Sequence, residues 1–206
     1  MKIVIAPDSF KGSLTNTEAA HAIKCGVLAA IPGAEIDIIP IADGGEGTMQ
    51  TLVASTKGQL REAKVIDPLG RSIVAEYGIL GDGVTAVVEM AKASGLLLLK
   101  NDERNPLQTT TYGTGQLISH ALNLGYRKII VAVGGSASND CGAGMAQALD
   151  IKFFRENSIE ITEKITGGLL YDISDLDTSH LHPHISQSEI IIASDVMHKG
   201  RTTNVF

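Results

Sequence analysis

Polar, glycine-bearing loops hold the residues whose types and spacing could do chemistry in this sequence. The first loop, residues 7–14, contains a carboxylate, two hydroxyls and an ammonium group, which belong to Asp8, Ser9, Ser13 and Lys11. It runs into a predicted helix start, where backbone N–H groups attract anions. Lys11 could therefore neutralise phosphate or carboxylate oxygens, although a solvated loop with a surface lysine explains the same residues equally well.

The second loop places two carboxylates around a glycine pair and reads Asp43-Gly44-Gly45-Glu46-Gly47. The carboxylates could hold Mg²⁺ or accept a proton from a hydroxyl, and the glycines let the backbone approach a ligand closely. Acidic residues also suit the positive end of a helix dipole without any further function. Because a glycine pair adds little stability to the start of a helix, the functional interpretation is favoured.

A third loop of small residues follows a predicted buried strand and contains Gly134, Gly135, Ser136, Ser138, Asn139 and Asp140. Such a loop can present several backbone N–H groups to a phosphate. Small residues also let a helix pack closely against a strand, so the loop has a purely structural explanation as well. Phosphate binding is the favoured interpretation.

Repeated strand–loop–helix units must position these loops. Strands are predicted at residues 2–6, 35–41, 128–133 and 189–193, and a polar loop follows each one. Thr15 and Glu18 match a capping box before the first predicted helix, and a second helix is predicted over residues 48–56. These units indicate an α/β fold with a parallel sheet, in which ligands bind at the carboxyl ends of strands. The fourth loop, residues 194–196 with Asp195, belongs at the same edge.

The pattern changes near residue 60. Strands are predicted at 60–66, 72–80 and 85–90, and the short turns between them favour antiparallel or mixed pairing. We therefore expect residues 1–60 in a first α/β domain and 61–206 in a second. Residues 155–188 are polar and are predicted to be irregular; His180, His182 and His184 could share a metal if they lay in a strand, but exposed histidines are the favoured interpretation.

The composition excludes several classes of protein. The chain has 206 residues, a formal net charge of −6 and no run of Lys or Arg, so no nucleic-acid partner is expected. Its apolar runs have the length of strands, so no membrane span is expected. Two cysteines are too few for a disulfide scaffold and indicate a reducing compartment. The Walker phosphate loop, the dinucleotide fingerprint and the zinc-protease motif do not occur.

Six segments match one family in order: KIVIAPDSFKGSLT (2–15), IADGGEGT (41–48), VVEMAKASGL (87–96), TTYGTGQLI (110–118), GGSASNDCGAGMAQALD (134–150) and IIASDV (191–196). With these segments the chain resembles the glycerate kinase family typified by bacterial glycerate 2-kinases. Two departures accompany the match. Cys141 stands where family members usually have Gly, and residues 197–206 form an atypical tail where family chains continue well past this one, so the chain is expected to be truncated relative to the family.

The resemblance implies a cytoplasmic enzyme that uses ATP and Mg²⁺ to phosphorylate D-glycerate to 2-phosphoglycerate; a homo-oligomer is left open. It implies two α/β domains with the site between them, the first flavodoxin-like and incomplete here. In the implied mechanism Asp43 or Asp195 accepts the hydroxyl proton and Lys11 stabilises negative charge. Mg²⁺ is expected to bind at Glu46 and Asp140. Substrate or phosphate is expected to bind at Asp8, Ser9, Ser13, Gly44, Gly45 and the residues of 134–139. Two alternatives remain: an inactive fragment that acts only as a folded or interacting module, and a nucleotide-dependent oxidoreductase of small hydroxyacids.

Overall fold

The fold is α/β, as predicted, in a computed structural model that describes residues 1–10, 13–39, 41 and 44–194. In chain order the strands are β1 (Lys2–Ile5), β2 (Glu35–Ile38), β3 (Gln59–Ile66), β4 (Ser72–Ile79), β5 (Thr85–Glu89), β6 (Lys128–Ala132), β7 (Lys152–Arg155), β8 (Ile159–Glu160), β9 (Asp175–Asp177) and β10 (Glu189–Ala193). The helices are α1 (Asn16–Ala30), α2 (Thr48–Thr56), α3 (Ala91–Ser94), α4 (Tyr112–Asn123) and α5 (Ala143–Gln147).

The N-terminal strands form a two-stranded parallel sheet, which confirms the parallel pairing expected from the first two units. β1 and β2 pair in register from Lys2 opposite Glu35. The predicted capping box starts α1: the Glu18 N–H donates to Thr15 Oγ1, and the Thr15 N–H donates to the Glu18 carboxylate. This cap fixes where the first loop ends and the helix begins, because it satisfies N–H groups that have no partner within the helix.

A five-stranded mixed sheet in the order β10-β6-β5-β4-β3 holds the main core. The β3–β4 and β4–β5 pairs are antiparallel and the β5–β6 and β6–β10 pairs are parallel, so the expected change of pairing after residue 60 is confirmed. Met49 and Val53 of α2 lie in this core together with Leu117 and Leu122 of α4. Helix α2 therefore packs on the large sheet, although it precedes residue 60. The domain boundary near that residue and the flavodoxin-like character of the first unit stay predictions.

A small three-stranded sheet has the order β8-β7-β9, and two of its strands, β8 and β9, lie in the stretch 155–188 that was predicted to be irregular. It covers a second core built from Ala143, Phe153, Ile161 and Ile165. His182 also departs from expectation: it is only 6% exposed, and its Nε2 lies 3.3 Å from Asn123 Oδ1. Burial lowers the pKa of His182 below its ordinary 6.5. Within the described residues, no helix has the length and apolar character needed to cross a membrane.

Candidate active site

The described parts of the second and third loops meet the end of β10 at the carboxyl ends of the strands. A Cβ on Gly134 would lie 2.6 Å from the Gly45 Cα, and a Cβ on Gly135 would lie 2.7 Å from Glu46 Oε1. Gly44 has a φ of +92° and packs against the backbone of Ala193, the last residue of β10. Only glycine tolerates both this approach and this dihedral at low cost. The close contact explains why glycine pairs occur in both loops.

A cleft of about 860 Å³ opens beside this junction. Ser9, Phe10 and Ser13 of the first loop and the start of α1 form one wall. The other walls come from Glu46 and Gly47, from β4 and from the segment where β5 runs into α3. The described residues of the first and second loops thus line one cleft, together with strands of the large sheet.

Glu89 is the site residue that sequence reasoning missed. It ends β5, lines the cleft and is 2% exposed. The N–H groups of Gly47 and Met49 donate to its Oε2 at 3.0 and 3.1 Å. Among the described residues, no side chain at the N-terminus of α2 caps that helix, and Glu89 supplies a cap from a neighbouring strand. An acidic residue directly after the apolar run Ala86–Val88 was the available signal, since a carboxylate in a buried strand needs a specific partner.

The environment of Glu89 shifts its protonation. Burial raises the pKa of its carboxyl above the ordinary 4.5. The two backbone N–H groups and the charge of Lys92 act in the opposite direction, and the nearby charge of Glu46 raises the pKa further. Perturbed carboxyl groups in clefts are typical of functional sites, although structural networks produce them as well.

Gln50 adds a second unusual feature to the same cleft. It lies one residue after Met49 in α2 and lines the cavity. Its Oε1 is buried and has no hydrogen-bond partner among the described residues. A buried acceptor without a partner costs about 1–3 kcal/mol. A bound ligand or water that donated a hydrogen bond to Gln50 Oε1 would remove this cost.

Asp140, predicted to hold a metal, is 1% exposed and bound by protein donors. Its carboxylate accepts from the N–H and Oγ1 of Thr111 and from the N–H groups of Gly142 and Gly144. These four bonds join the third loop to the starts of α4 and α5. They favour a structural role for Asp140, and its metal role stays a prediction.

The other predicted residues fall into three groups. Ser9, Ser13 and Glu46 line the cleft, while Gly44, Gly45, Gly134 and Gly135 form the junction beside it. A second group makes local hydrogen bonds or is exposed: the hydroxyls of Ser136 and Ser138 form a hydrogen bond with each other, and the Asp8 carboxylate accepts from the Ser9 N–H. Asn139 is exposed. Lys11, Asp43 and Asp195 lie outside the described residues. Within the described ranges no three His, Cys, Asp or Glu residues are grouped to hold a metal.

Comparisons with known proteins give a consistent result. The glycerate kinase of Halalkalibacterium halodurans is 50% identical over 194 residues, which are 94% of this chain and 50% of that protein. The glycerate 2-kinase of Escherichia coli is 49% identical over 95% of this chain and 51% of its own length. A solved structure from Salmonella typhimurium LT2, assigned as a glycerate kinase 2, matches with a TM-score of 0.76 and 44% identity over 93% of this chain and 52% of that one.

The chain therefore spans about half the length of the curated relatives that it matches. The sequence profile of the Glycerate kinase family matches residues 3–199, which include all the loops that meet at the cleft. The resemblance found in the sequence is confirmed: this chain belongs to the glycerate kinase family.

Proposed function

We propose that this chain carries the substrate-binding cleft of an ATP-dependent kinase that converts D-glycerate to 2-phosphoglycerate. The observation that carries the proposal is the meeting of the glycine junction, at Gly44 and Gly134, with a cleft lined by Ser13 and Glu89. Phosphoryl transfer requires little covalent chemistry from a protein. It requires the acceptor hydroxyl and the phosphoryl group to be held in line, with their charge stabilised.

The proposed roles follow the sequence predictions, and for Lys11, Asp43 and Asp195, which lie outside the described residues, they rest on the sequence alone. Asp43 or Asp195 accepts the proton of the glycerate hydroxyl, and Lys11 stabilises the negative charge that develops on the transferring group. Backbone N–H groups of the third loop cradle phosphate, except those of Ala137 and Ser138, which already donate to the Ser94 carbonyl oxygen and to Ser136 Oγ. Ser9 and Ser13, which line the cleft, bind the acceptor. These assignments give individual residues the roles that a kinase of this family would need, and substitution of each residue tests its role.

Mg²⁺ fits one of its two predicted ligands. Glu46 lines the cleft and adjoins the backbone of Gly135, so its carboxylate lies where a cation could bridge to phosphate oxygens. Proteins commonly hold Mg²⁺ through only one or two carboxylates, with phosphates and water as the other ligands. Bound there, the ion would neutralise phosphate charge. The Asp140 carboxylate is occupied by backbone and hydroxyl donors, so Glu46 is the better candidate.

The alternatives are less well supported. Membership in a kinase family weighs against an oxidoreductase, and identity near 50% to glycerate kinases along most of the chain does not favour an inactive module. A cytoplasmic location is part of the proposal, because Cys25 and Cys141 are both exposed and unpaired, as in a reducing compartment.

The decisive experiment is a coupled ADP-release assay on this chain with D-glycerate and Mg²⁺, followed by identification of the phosphorylated product by ³¹P NMR. An Asp43→Asn variant should lower turnover by about 10²–10⁴-fold if Asp43 is the base. Asp102→Asn, an exposed carboxylate away from the cleft, is the matched control. Unchanged turnover in the Asp43 variant would remove it from that role and leave Asp195. Oxidation of glycerate with a nicotinamide cofactor, and no ADP release, would refute the kinase assignment.

A further inference from the structure

The charges around the cleft are strongly unequal. Among the described residues that line it, five carry a carboxylate and only Lys92 carries a positive charge; the acidic ones are Glu18, Glu46, Glu62, Glu76 and Glu89. A cleft with this lining repels anions over most of its surface. The proposed substrates, a hydroxy acid and ATP, are both anions, so their binding needs a defined positive point.

Two of these carboxylates are already engaged. Glu18 belongs to the capping box of α1, and Glu89 accepts two N–H groups of α2. Glu62 and Glu76 lie directly opposite each other in the antiparallel β3–β4 pair, where like charges destabilise the pairing. Among the described residues, the acidic side chains of the cleft therefore outnumber the positive ones that could balance them.

Within the described part of the chain, Lys92 is placed to supply positive charge to the cleft, in addition to the role proposed for Lys11. It is the second residue of α3, three positions after Glu89, and its side chain is half-buried in the wall of the cleft. Its charge favours the ionised form of Glu89, which places the ammonium group within electrostatic reach of that carboxylate. Within the described part of the chain, however, Lys92 forms no salt bridge within 4.0 Å.

We propose that Lys92 is an anion-binding residue of the cleft, whose ammonium group contacts an anionic oxygen of the substrate. This inference rests on the proposed function. The oxygen belongs either to the carboxylate of the hydroxy acid or to the terminal phosphoryl group of ATP, since an ammonium group binds both as a point charge. Lys92 was not among the residues predicted from the sequence, because nothing in its spacing separates it from other surface lysines.

The test measures the binding of each anion separately by isothermal titration calorimetry, with D-glycerate in one series and MgATP in the other. Lys92→Met removes the charge but keeps an unbranched side chain, and Lys92→Arg keeps the charge. Lys57→Met is the matched control, because Lys57 is an exposed lysine at the opposite end of α2 and does not line the cleft. Urea unfolding of each variant reports whether the substitution acts through stability.

We expect Lys92→Met to weaken binding of one of the two ligands by about 10- to 100-fold, as for the loss of a hydrogen bond between charged groups. Lys92→Arg should retain most of the affinity, Lys57→Met all of it, and the ligand that weakens identifies the anionic oxygen. Equal affinity of wild type and Lys92→Met for both ligands would overturn the inference while leaving the proposed function standing. A wild-type chain that binds neither ligand would refute the proposed function for this chain, and the role of Lys92 with it.

Discussion

Glu89 offers the sharpest test of how the cleft is built. Its carboxylate replaces the side-chain cap that α2 lacks, since Gly47 at the N-cap provides none. Replacement by Ala removes the acceptor of two N–H groups, one of which belongs to the fully buried Met49. Replacement by Gln keeps the volume and one acceptor oxygen but removes the charge. The two variants therefore separate the cap from the charge.

The magnitudes follow from the two hydrogen bonds. Each bond to a charged acceptor is worth about 1.5–3 kcal/mol, and two therefore give roughly 3–6 kcal/mol. The cost of burying the carboxylate, visible in the raised pKa of Glu89, offsets part of this gain. We expect Glu89→Ala to lower the free energy of unfolding by about 2–4 kcal/mol. Glu89→Gln should lie within about 1 kcal/mol of wild type, because weaker bonds are balanced by cheaper burial.

Urea unfolding followed by circular dichroism at pH 7 measures both values. A folded-state pKa above 4.5 means that Glu89 contributes stability fully below pH 4.5 and loses it as pH rises through the folded pKa. Wild type should therefore lose stability relative to Glu89→Gln as pH increases from 4.5, with Lys92 limiting the loss and Glu46 adding to it. Equal stability of the Ala and Gln variants would refute the capping role, and a pH-independent difference would refute the burial argument.

Three further predictions concern the framework. Asp140→Ala should destabilise the fold by about 3–5 kcal/mol, because buried donors of Thr111 and Gly144 lose their acceptor. The loss should be the same with and without added Mg²⁺. A loss of stability only in the presence of Mg²⁺ would instead support a metal role. Gly115→Ala should cost about 1–3 kcal/mol, since its Cβ would lie 2.3 Å from the Met145 carbonyl oxygen, whereas Gly26→Ala in open space on α1 should add up to about 1 kcal/mol. The lowered pKa of His182 means that its contribution to stability is present above pH 6.5 and declines as pH falls below it, so urea titrations of wild type and His182→Gln should converge at acidic pH.

Much of the framework was predictable because its signals are local. The β-branched run of β6 and the capping box of α1 each depend on a few neighbouring residues, and the structure has both where they were expected. The predicted strand over 35–41 was too long: β2 ends at Ile38, although the Ile39 N–H still donates to the Ile5 carbonyl oxygen. The small sheet of β7, β8 and β9 was missed because its strands are two to four residues long and mostly polar.

The loops of the site were predictable, but the partners of their side chains were not. Loop position follows from strand order, since every parallel strand ends at the same edge. The bonds of Asp140 depend on Thr111, 29 residues earlier in the chain, and no local pattern indicates that pairing. Glu89 meets Gly47 and Met49 across about 40 residues, so the sequence indicates it only as a residue of the predicted strand 85–90.

The position of Glu89 also constrains where an anion can bind. A helix N-terminus attracts phosphate through its unpaired N–H groups, but at α2 those of Gly47 and Met49 already donate to a carboxylate. Under the proposed function, the phosphoryl group is therefore better accommodated near Lys92 and the glycine junction than at the start of α2. The proposed function brings two anions into an acidic cleft and therefore depends on added positive charge, because phosphoryl transfer requires electrostatic stabilisation as well as positioning. We infer that this wall disfavours free ATP and admits it as the magnesium complex, so that ATP affinity should rise with Mg²⁺ concentration more steeply in wild type than in a Glu46→Gln variant.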